Sequence, residues 1–248
     1  RRLCGLILVL SIPAAALAAD EAVFDRFFTK GTLRIDLYHT GVGDEEIFAL
    51  DEIIHEPLWG GNPRSLIDTL GLGGYMVRVF DLRTNRMIYS RGYATLFGEW
   101  ATTGEALEGA ARTFHESLIM PYPKNPVQVR IDRRDRTNIF HTVFDMVIDP
   151  SDYHIKREQR FRHLKVRKLE ENAPPDRAVD LVILGDGYKG DEMHKLRGDA
   201  ERFVGILFGT EPFRSRRRDF NVWLVETVSV DSGIDEPRKG KYLSLIHI

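Results

Sequence analysis

The stretch from Gly185 to Gly190 holds residue types at a spacing that could do chemistry. It reads Gly-Asp-Gly-Tyr-Lys-Gly and matches the dinucleotide-binding pattern G-x-G-x-x-G, after an apolar run and before a helical pattern. In that fold the glycines let a pyrophosphate approach the helix, and an acidic residue about 20 residues further on binds the ribose. The next predicted strand begins only near Phe220, and its Glu226 lies far past that spacing. The sequence therefore gives weak support for a dinucleotide site.

The same turn could carry a hydrolase nucleophile if it were a Gly-Asp-Ser turn. Gly187 stands where the serine would be. Glycine has no side chain that a base could activate for attack on a carbonyl. A serine-hydrolase site at this turn is therefore strongly disfavoured.

Histidines are the other candidates for chemistry. A zincin-type peptidase binds its metal through two histidines one helical turn apart, with a glutamate between them as general base. His55-Glu56 and His115-Glu116 begin such a motif, but neither has the second histidine, and Pro57 breaks any helix after His55. None of the eight histidines lies three or four residues from another. We therefore expect no catalytic residue and no metal ligand in this chain.

Two strands and the helix between them must position the glycine turn. The apolar runs Val179–Leu184 and Phe220–Val225 are typical of strands buried on both faces, but a lone βαβ unit cannot cover both faces of its sheet, so we expect exposed apolar surface on these strands. Apolar residues recur at helical spacing over Met193–Leu207. Parallel strands need a crossover connection of this kind, so the order predicts a βαβ unit.

The rim of this unit is where a site is expected, because chemistry in open α/β sheets gathers at the carboxyl ends of the strands. That rim contains Gly185–Tyr188 and Asp231–Gly233. Asp186, Gly187 and Tyr188 are our candidate residues for the edge of a cleft. Polar side chains in a tight turn often serve their own backbone, so bracing of the turn is the competing interpretation for the aspartate and the tyrosine.

Longer stretches around this turn resemble the start of the catalytic domain of the IgA-peptidase family of zinc metallopeptidases. The similar pieces are, in order, LVILGDGYKGDEM, GILFGTEPFRSRRRDFNVW and VSVDSGIDEPRKG. The sequence departs from the family at Lys189-Gly190, where a small helix-capping residue such as threonine is expected. The N-terminal half resembles the family's N-terminal domain through TLRIDLYHTG, RGYATLFGEW, TFHESLIMPYPKNPVQV and VIDPSDY. The resemblance covers nearly all of Phe24–Tyr242.

The resemblance implies a zinc-dependent endopeptidase with a protein substrate, whose Zn²⁺ would be bound by a His-Glu-x-x-His helix beyond Tyr242. The chain would then carry the accessory β-domain and the first βα units of the catalytic domain, and it would bind no zinc and be inactive alone. The competing hypothesis is an exported binding module for glycans or proteins. There, exposed Trp59, Trp100 or Tyr93 on a β-sandwich would contact the ligand. Burial of these aromatic side chains would count against it.

The N-terminal half predicts an all-β sandwich, because strand patterns are dense and helical periodicity is scarce. Tyr75–Asp81 and Met87–Tyr93 predict a hairpin, with Asn85 able to adopt the positive φ of the turn. Pro121, Pro123 and Pro126 are expected to break the strands near them. The expected fold class is mixed: a β-sandwich followed by the first βαβ unit of an α/β zincin-like catalytic domain.

The chain ends and the composition set the predicted boundaries. We expect a signal peptide over 1–19, the β-sandwich domain over 20–150, a charged linker over 151–177, an incomplete catalytic domain over 178–242 and a non-native tail over 243–248. The tail resembles a translated sequencing adapter, and the chain lacks an initiator Met. We therefore expect a piece of a longer protein.

Composition limits the partners and the compartment. The signal peptide predicts export, to the periplasm or the exterior, and Cys4 within it is the only cysteine, so no disulfide is expected in the mature chain. No other stretch is apolar and long enough to span a membrane. A net charge of −2 gives no field that would favour nucleic acid, and the arginines at 214 and 216–218 are interpreted as a solvated loop.

Overall fold

A computed structural model describes residues 23–42, 45–157 and 163–243. The predicted signal peptide with Cys4, and the predicted tail from residue 244 onward, lie outside the described residues. The chain divides between Glu158 and Gln159 into two compact units. In the described ranges, no helix is both long enough and apolar enough to cross a membrane.

The first unit consists mainly of strands. They are β1 (Phe28–Val42), β2 (Glu45–Glu56), β3 (Tyr75–Asp81), β4 (Arg86–Tyr93), β5 (Ala111–Pro123), β6 (Val127–Arg134) and β7 (Phe140–Ile148). One sheet has the order β2-β1-β5 and the other has the order β4-β3-β6-β7, and every pairing is antiparallel. Helical segments lie at 23–27 (α1), Leu96–Trp100 (α2) and Gly104–Leu107 (α3).

The two sheets share one hydrophobic core. Alternate residues of a strand point to the same face, so each strand contributes every second side chain. In β1 these include Leu33, Ile35 and Leu37, and in β6 they include Val129 and Ile131; all are buried. The arrangement fits the predicted β-sandwich.

Local turn chemistry was predicted correctly at one place and wrongly at another. The β3–β4 hairpin is confirmed, and Asn85 at its turn has a φ of +52°. The expected break at Pro121 and Pro123 is wrong, because β5 continues through both residues to pair with Thr32 and Phe28 of β1. An edge strand uses only one hydrogen-bonding side, so it tolerates the missing N–H of proline.

The second unit contains a small mixed sheet. Its elements are β8 (Lys165–Glu170), β9 (Val179–Leu184), α4 (Met193–Leu207), α5 (Phe213–Arg216) and β10 (Phe220–Glu226). The sheet order is β8-β10-β9; β9 and β10 run parallel, whereas β8 is antiparallel to β10. The strand β8 lies inside the predicted linker and joins this sheet.

The helix α4 covers one face of this sheet. Its buried Leu196 packs in one cluster with Leu224, and its Val204 packs in another with Val222. On the opposite face Val182 and Leu184 are 52% and 53% exposed. The exposed apolar surface expected of a lone βαβ unit is therefore present on β9, because the helix shields only alternate side chains of each strand.

Candidate functional site

The candidate rim is formed where β9 and β10 end side by side. Because the two strands are parallel, the turn after Leu184 and the loop after Glu226 leave the sheet at the same edge. Asp186 is exposed at this edge, Gly187 is buried and Tyr188 is half-buried. The structure therefore brings together the three candidate residues and the loop that contains Ser232.

Hydrogen bonds join this turn to the loop. The Ser229 N–H donates to the Tyr188 carbonyl and the Gly233 N–H donates to the Gly187 carbonyl, each at 2.9 Å. In return, the Gly187 N–H donates to Ser229 Oγ at 2.9 Å, and the Thr227 hydroxyl donates to the Gly185 carbonyl. Backbone groups that would otherwise be unsatisfied in a buried turn are therefore paired within the rim itself.

Gly187 has no room for a side chain. Its φ is +74°, and a Cβ built there would lie 1.9 Å from the Gly233 carbonyl oxygen. The middle glycine of G-x-G-x-x-G would let a pyrophosphate approach in a dinucleotide fold. Here that space is filled by the chain's own backbone, and Asp191 and Glu192 add negative charge at the first turn of the following helix. The geometry contradicts a dinucleotide site.

Tyr188 braces the helix rather than facing solvent with its hydroxyl. The hydroxyl donates to Asp199 Oδ2 at 3.0 Å, and Lys195 Nζ lies 4.9 Å from the ring centroid. Partial burial raises the pKa of the phenol, and the bond to Asp199 raises it further. These contacts favour the bracing interpretation for Tyr188.

Glu192 takes the place of the missing small capping residue at the helix start. Its Oε2 accepts from the Lys189 N–H and its Oε1 accepts from the Ser232 hydroxyl, both at 2.9 Å. The bond from the backbone N–H is the main cause of a lowered Glu192 pKa. A carboxylate at this position satisfies an unpaired N–H and suits the helix dipole. The departure from the family pattern at Lys189 is therefore compensated three residues later.

Sequence reasoning missed Glu226 at the end of β10. Its side chain is 3% exposed and accepts two hydrogen bonds from Arg197 of α4, at 2.8 and 2.9 Å. Arg167 of β8 also donates to it. The Arg197 bonds, with help from Arg167, lower the Glu226 pKa to about 2. The only local signal for Glu226 is the change from apolar to polar residues at the end of β10, because its partners Arg197 and Arg167 lie on other elements.

The basic loop is neutralised locally. Arg214 pairs with Glu211 at 2.7 Å, and Arg216 pairs with Asp219. Arg217 reaches Glu170 of β8, with one contact at 3.0 Å. These pairs support the prediction of a solvated loop rather than a nucleic-acid patch, because Arg214, Arg216 and Arg217 each already have a carboxylate partner.

Metal-binding chemistry is not assembled in the described parts of the chain. Within them, no three His, Cys, Asp or Glu side chains are grouped so that they could hold an ion. Instead, His115 contacts Asp51 at 2.9 Å and His141 contacts Asp135 at 2.8 Å. The described residues therefore do not fit a zinc site.

The aromatic residues of the binding-module hypothesis face the interior. Trp59 is 6% exposed and Trp100 is 7% exposed. Tyr93 is half-buried, and its hydroxyl oxygen is buried. The exposed aromatic platform that this hypothesis needs is not formed by these three side chains.

Comparison with known families identifies both halves. A family model described as Peptidase M64 N-terminus matches residues 23–145, and one described as IgA Peptidase M64 matches residues 167–244. Together these matches cover both compact units in chain order. No curated protein matched the chain.

Proposed function

We propose that this chain, which belongs to the IgA Peptidase M64 family, is part of an exported zinc-dependent endopeptidase that cleaves proteins. The observation that carries the proposal is the pair of family matches over residues 23–145 and 167–244, in the order N-terminal domain then peptidase domain. A fold alone does not imply an activity, so the sandwich and the small mixed sheet add no independent support for it.

The zinc is assigned to residues outside those described. The described side chains do not fit the metal, so we assign no catalytic step to any of them. We propose that the present chain supplies the accessory β-domain and the first part of a zincin-like catalytic domain, and that it has no peptidase activity alone. Export is supported by the signal-like residues 1–19.

The rim is proposed to border the substrate cleft. Asp186 is exposed at the carboxyl ends of parallel strands, which is where sites gather in α/β sheets. Gly187 and Tyr188 would act as positioning residues there, because they fix the turn through Gly233 and Asp199.

The test begins with the source DNA downstream of the Tyr242 codon. An in-frame helix with His-Glu-x-x-His is expected. The longer product should cleave an unfolded protein substrate, lose that activity with a chelator and regain it with added Zn²⁺, whereas the present chain should be inactive. An authentic stop codon after Ile248, or chelator-resistant cleavage by the present chain, would refute the proposal. The stop codon would leave an exported binding module as the better hypothesis.

A further inference from the structure

A buried histidine lies between two carboxylates inside the first unit. His39 on β1 is fully buried, with Nδ1 3.1 Å from Glu116 Oε1 on β5 and Nε2 3.1 Å from Glu46 Oε2 on β2. These three strands are neighbours in the sheet β2-β1-β5. Both ring nitrogens therefore contact acceptors that lie on either side of the central strand.

With both carboxylates ionised, this geometry favours a proton on each ring nitrogen. A neutral imidazole has one N–H and one acceptor nitrogen, and an ionised carboxylate can only accept. Neutral His39 would thus leave one nitrogen lone pair against a buried carboxylate, which is costly. The rings of Phe48 and Phe97 stack on the His39 ring with centroids 3.9 and 3.8 Å away. Aromatic faces attract a cation, so the stacking favours the same protonated form.

Charged and titratable groups of the second sheet also face this cluster. The Tyr75 hydroxyl of β3 donates to Glu46 Oε2 at 2.7 Å, and Arg133 of β6 contacts Glu46 Oε1 at 3.3 Å. The Tyr93 hydroxyl of β4 is buried nearby and, among the described residues, has no hydrogen-bond partner. Burial is the main cause of a raised Tyr93 pKa, and the charges of Glu116, Glu46 and Asp132 add to it.

Asp132 and its partner Arg78 are the remaining charged groups. Asp132 is 1% exposed and pairs with Arg78 of β3 at 2.9 Å, while the Thr142 hydroxyl donates to its Oδ1 at 2.7 Å. Because Asp132 is paired with Arg78, the carboxylates of Glu46 and Glu116 face two cations, His39 and Arg133, when His39 is protonated. When His39 is neutral, they face only one cation, Arg133.

We propose that His39, Glu46 and Glu116 form a pH-sensitive clamp that ties the three strands of one sheet to each other and, through Tyr75 and Arg133, to the other sheet. The clamp is closed when His39 is an imidazolium and both glutamates are ionised. Loss of the His39 proton, or protonation of Glu46, opens it and loosens the end of the sandwich where Phe97 of α2 packs.

The direction of the pH dependence follows from the pKa shifts of His39 and Glu46. Burial lowers the pKa of His39, but the bonds to Glu116 and Glu46 outweigh it and raise the pKa above its usual value. The stabilisation of the fold by protonated His39 is complete below pH about 6.5, which is the histidine pKa in the unfolded chain, and it is lost as pH rises through the pKa of His39 in the folded chain. Burial raises the pKa of Glu46, but His39, Tyr75 and Arg133 outweigh it and lower the pKa. The stabilisation by ionised Glu46 is therefore present above the glutamate pKa of the unfolded chain and is lost as pH falls through the pKa of Glu46 in the folded chain.

The test titrates the ring carbons of His39 by NMR in the unaltered full chain, so it does not depend on a variant that folds. In the folded chain the His39 ring is expected to titrate with a midpoint above the usual histidine value of about 6.5. A midpoint at or below that value would overturn the proposal.

A variant pair isolates the clamp. As pH rises above about 6.5, the folding constant of the first unit should fall by up to about tenfold per pH unit until His39 has lost its proton, in the unaltered chain and in the control His141→Gln, and much less in His39→Gln. His141 is a suitable control because it is exposed and sits on β7 of the other sheet. Hydrogen exchange of β1, β2 and β5 peptides reads out this unit. The same pH dependence in all three chains would overturn the clamp.

Discussion

Replacement of Gly187 by alanine tests whether the glycine turn serves the fold. The added Cβ would lie 1.9 Å from the Gly233 carbonyl oxygen, which is backbone and so has no other rotamer to adopt. Residue 187 would also have to keep a φ of +74°, which glycine adopts freely and alanine does not. The turn and the 227–233 loop must therefore move apart.

Three costs add up for Gly187→Ala. The left-handed backbone costs an alanine about 1–2 kcal/mol. Overpacking costs about 1–3 kcal/mol. Loss of the 2.9 Å bond from the Gly233 N–H to the Gly187 carbonyl costs about 1 kcal/mol more. We expect the free energy of unfolding of the second unit to fall by about 4 kcal/mol, which is a large share of the stability of so small a unit.

Hydrogen exchange measured on the full chain can resolve the second unit from the first. Peptides of β9, α4 and β10 should exchange about 1,000-fold faster in Gly187→Ala, because about 1.4 kcal/mol corresponds to a factor of ten. The matched control is Gly190→Ala in the same motif, where the nearest atom to the new Cβ is Val228 Cγ1 at 3.8 Å. Equal exchange in the two variants would refute the steric argument for the rim.

Two further predictions concern the same unit. Glu226→Gln should lower its free energy of unfolding by about 2 kcal/mol at pH 7, since it weakens bonds from Arg197 and Arg167 to a charged acceptor. The Glu226 pKa is lowered in the folded chain, so this contribution is present above pH about 4.5 and is lost as pH falls toward 2. Urea unfolding curves of the variant and the unaltered chain should converge there, whereas the exposed control Glu201→Gln should have no effect at either pH. Separately, Val182→Lys with Leu184→Lys should reduce binding of a hydrophobic dye, because these side chains are half-exposed on the open sheet face. Unchanged dye fluorescence in that double variant would contradict the importance of this face.

The strands of both units could be predicted because their signals are local. The hairpin of β3 and β4 and its turn residue Asn85 require only neighbours in sequence, and both appear in the structure as expected. The strand β8 lies inside the segment predicted as a linker over 151–177, because its partner β10 is far along the chain and leaves no local signal. The prolines of β5 were misjudged for a related reason: whether a strand lies at an edge depends on which strands pair with it.

The polar groups that fasten the second unit together were less predictable than its strands. Asn221, which is fully buried, accepts from the Asn172 and Ala173 N–H groups and donates to the Ala173 carbonyl, so it fastens the incoming segment to the sheet. Nothing in the local pattern distinguishes it from an exposed asparagine in a strand. Glu226 poses the same difficulty, because a charged residue at a strand end usually reaches solvent.

The glycine motif shows how a local pattern can be right about structure and wrong about chemistry. Strand, G-x-G-x-x-G and helix occur in the expected order, and the middle glycine does need a positive φ. The group that lies against Gly187, however, is the carbonyl of Gly233 and not a phosphate. A pattern match specifies that something must approach the backbone at that point, whereas the identity of what approaches is decided by a distant segment. The hydrogen bonds between residues 185–188 and 227–233 therefore explain the close approach at Gly187 without a cofactor, because Gly233 both supplies the carbonyl that lies against it and donates to its backbone.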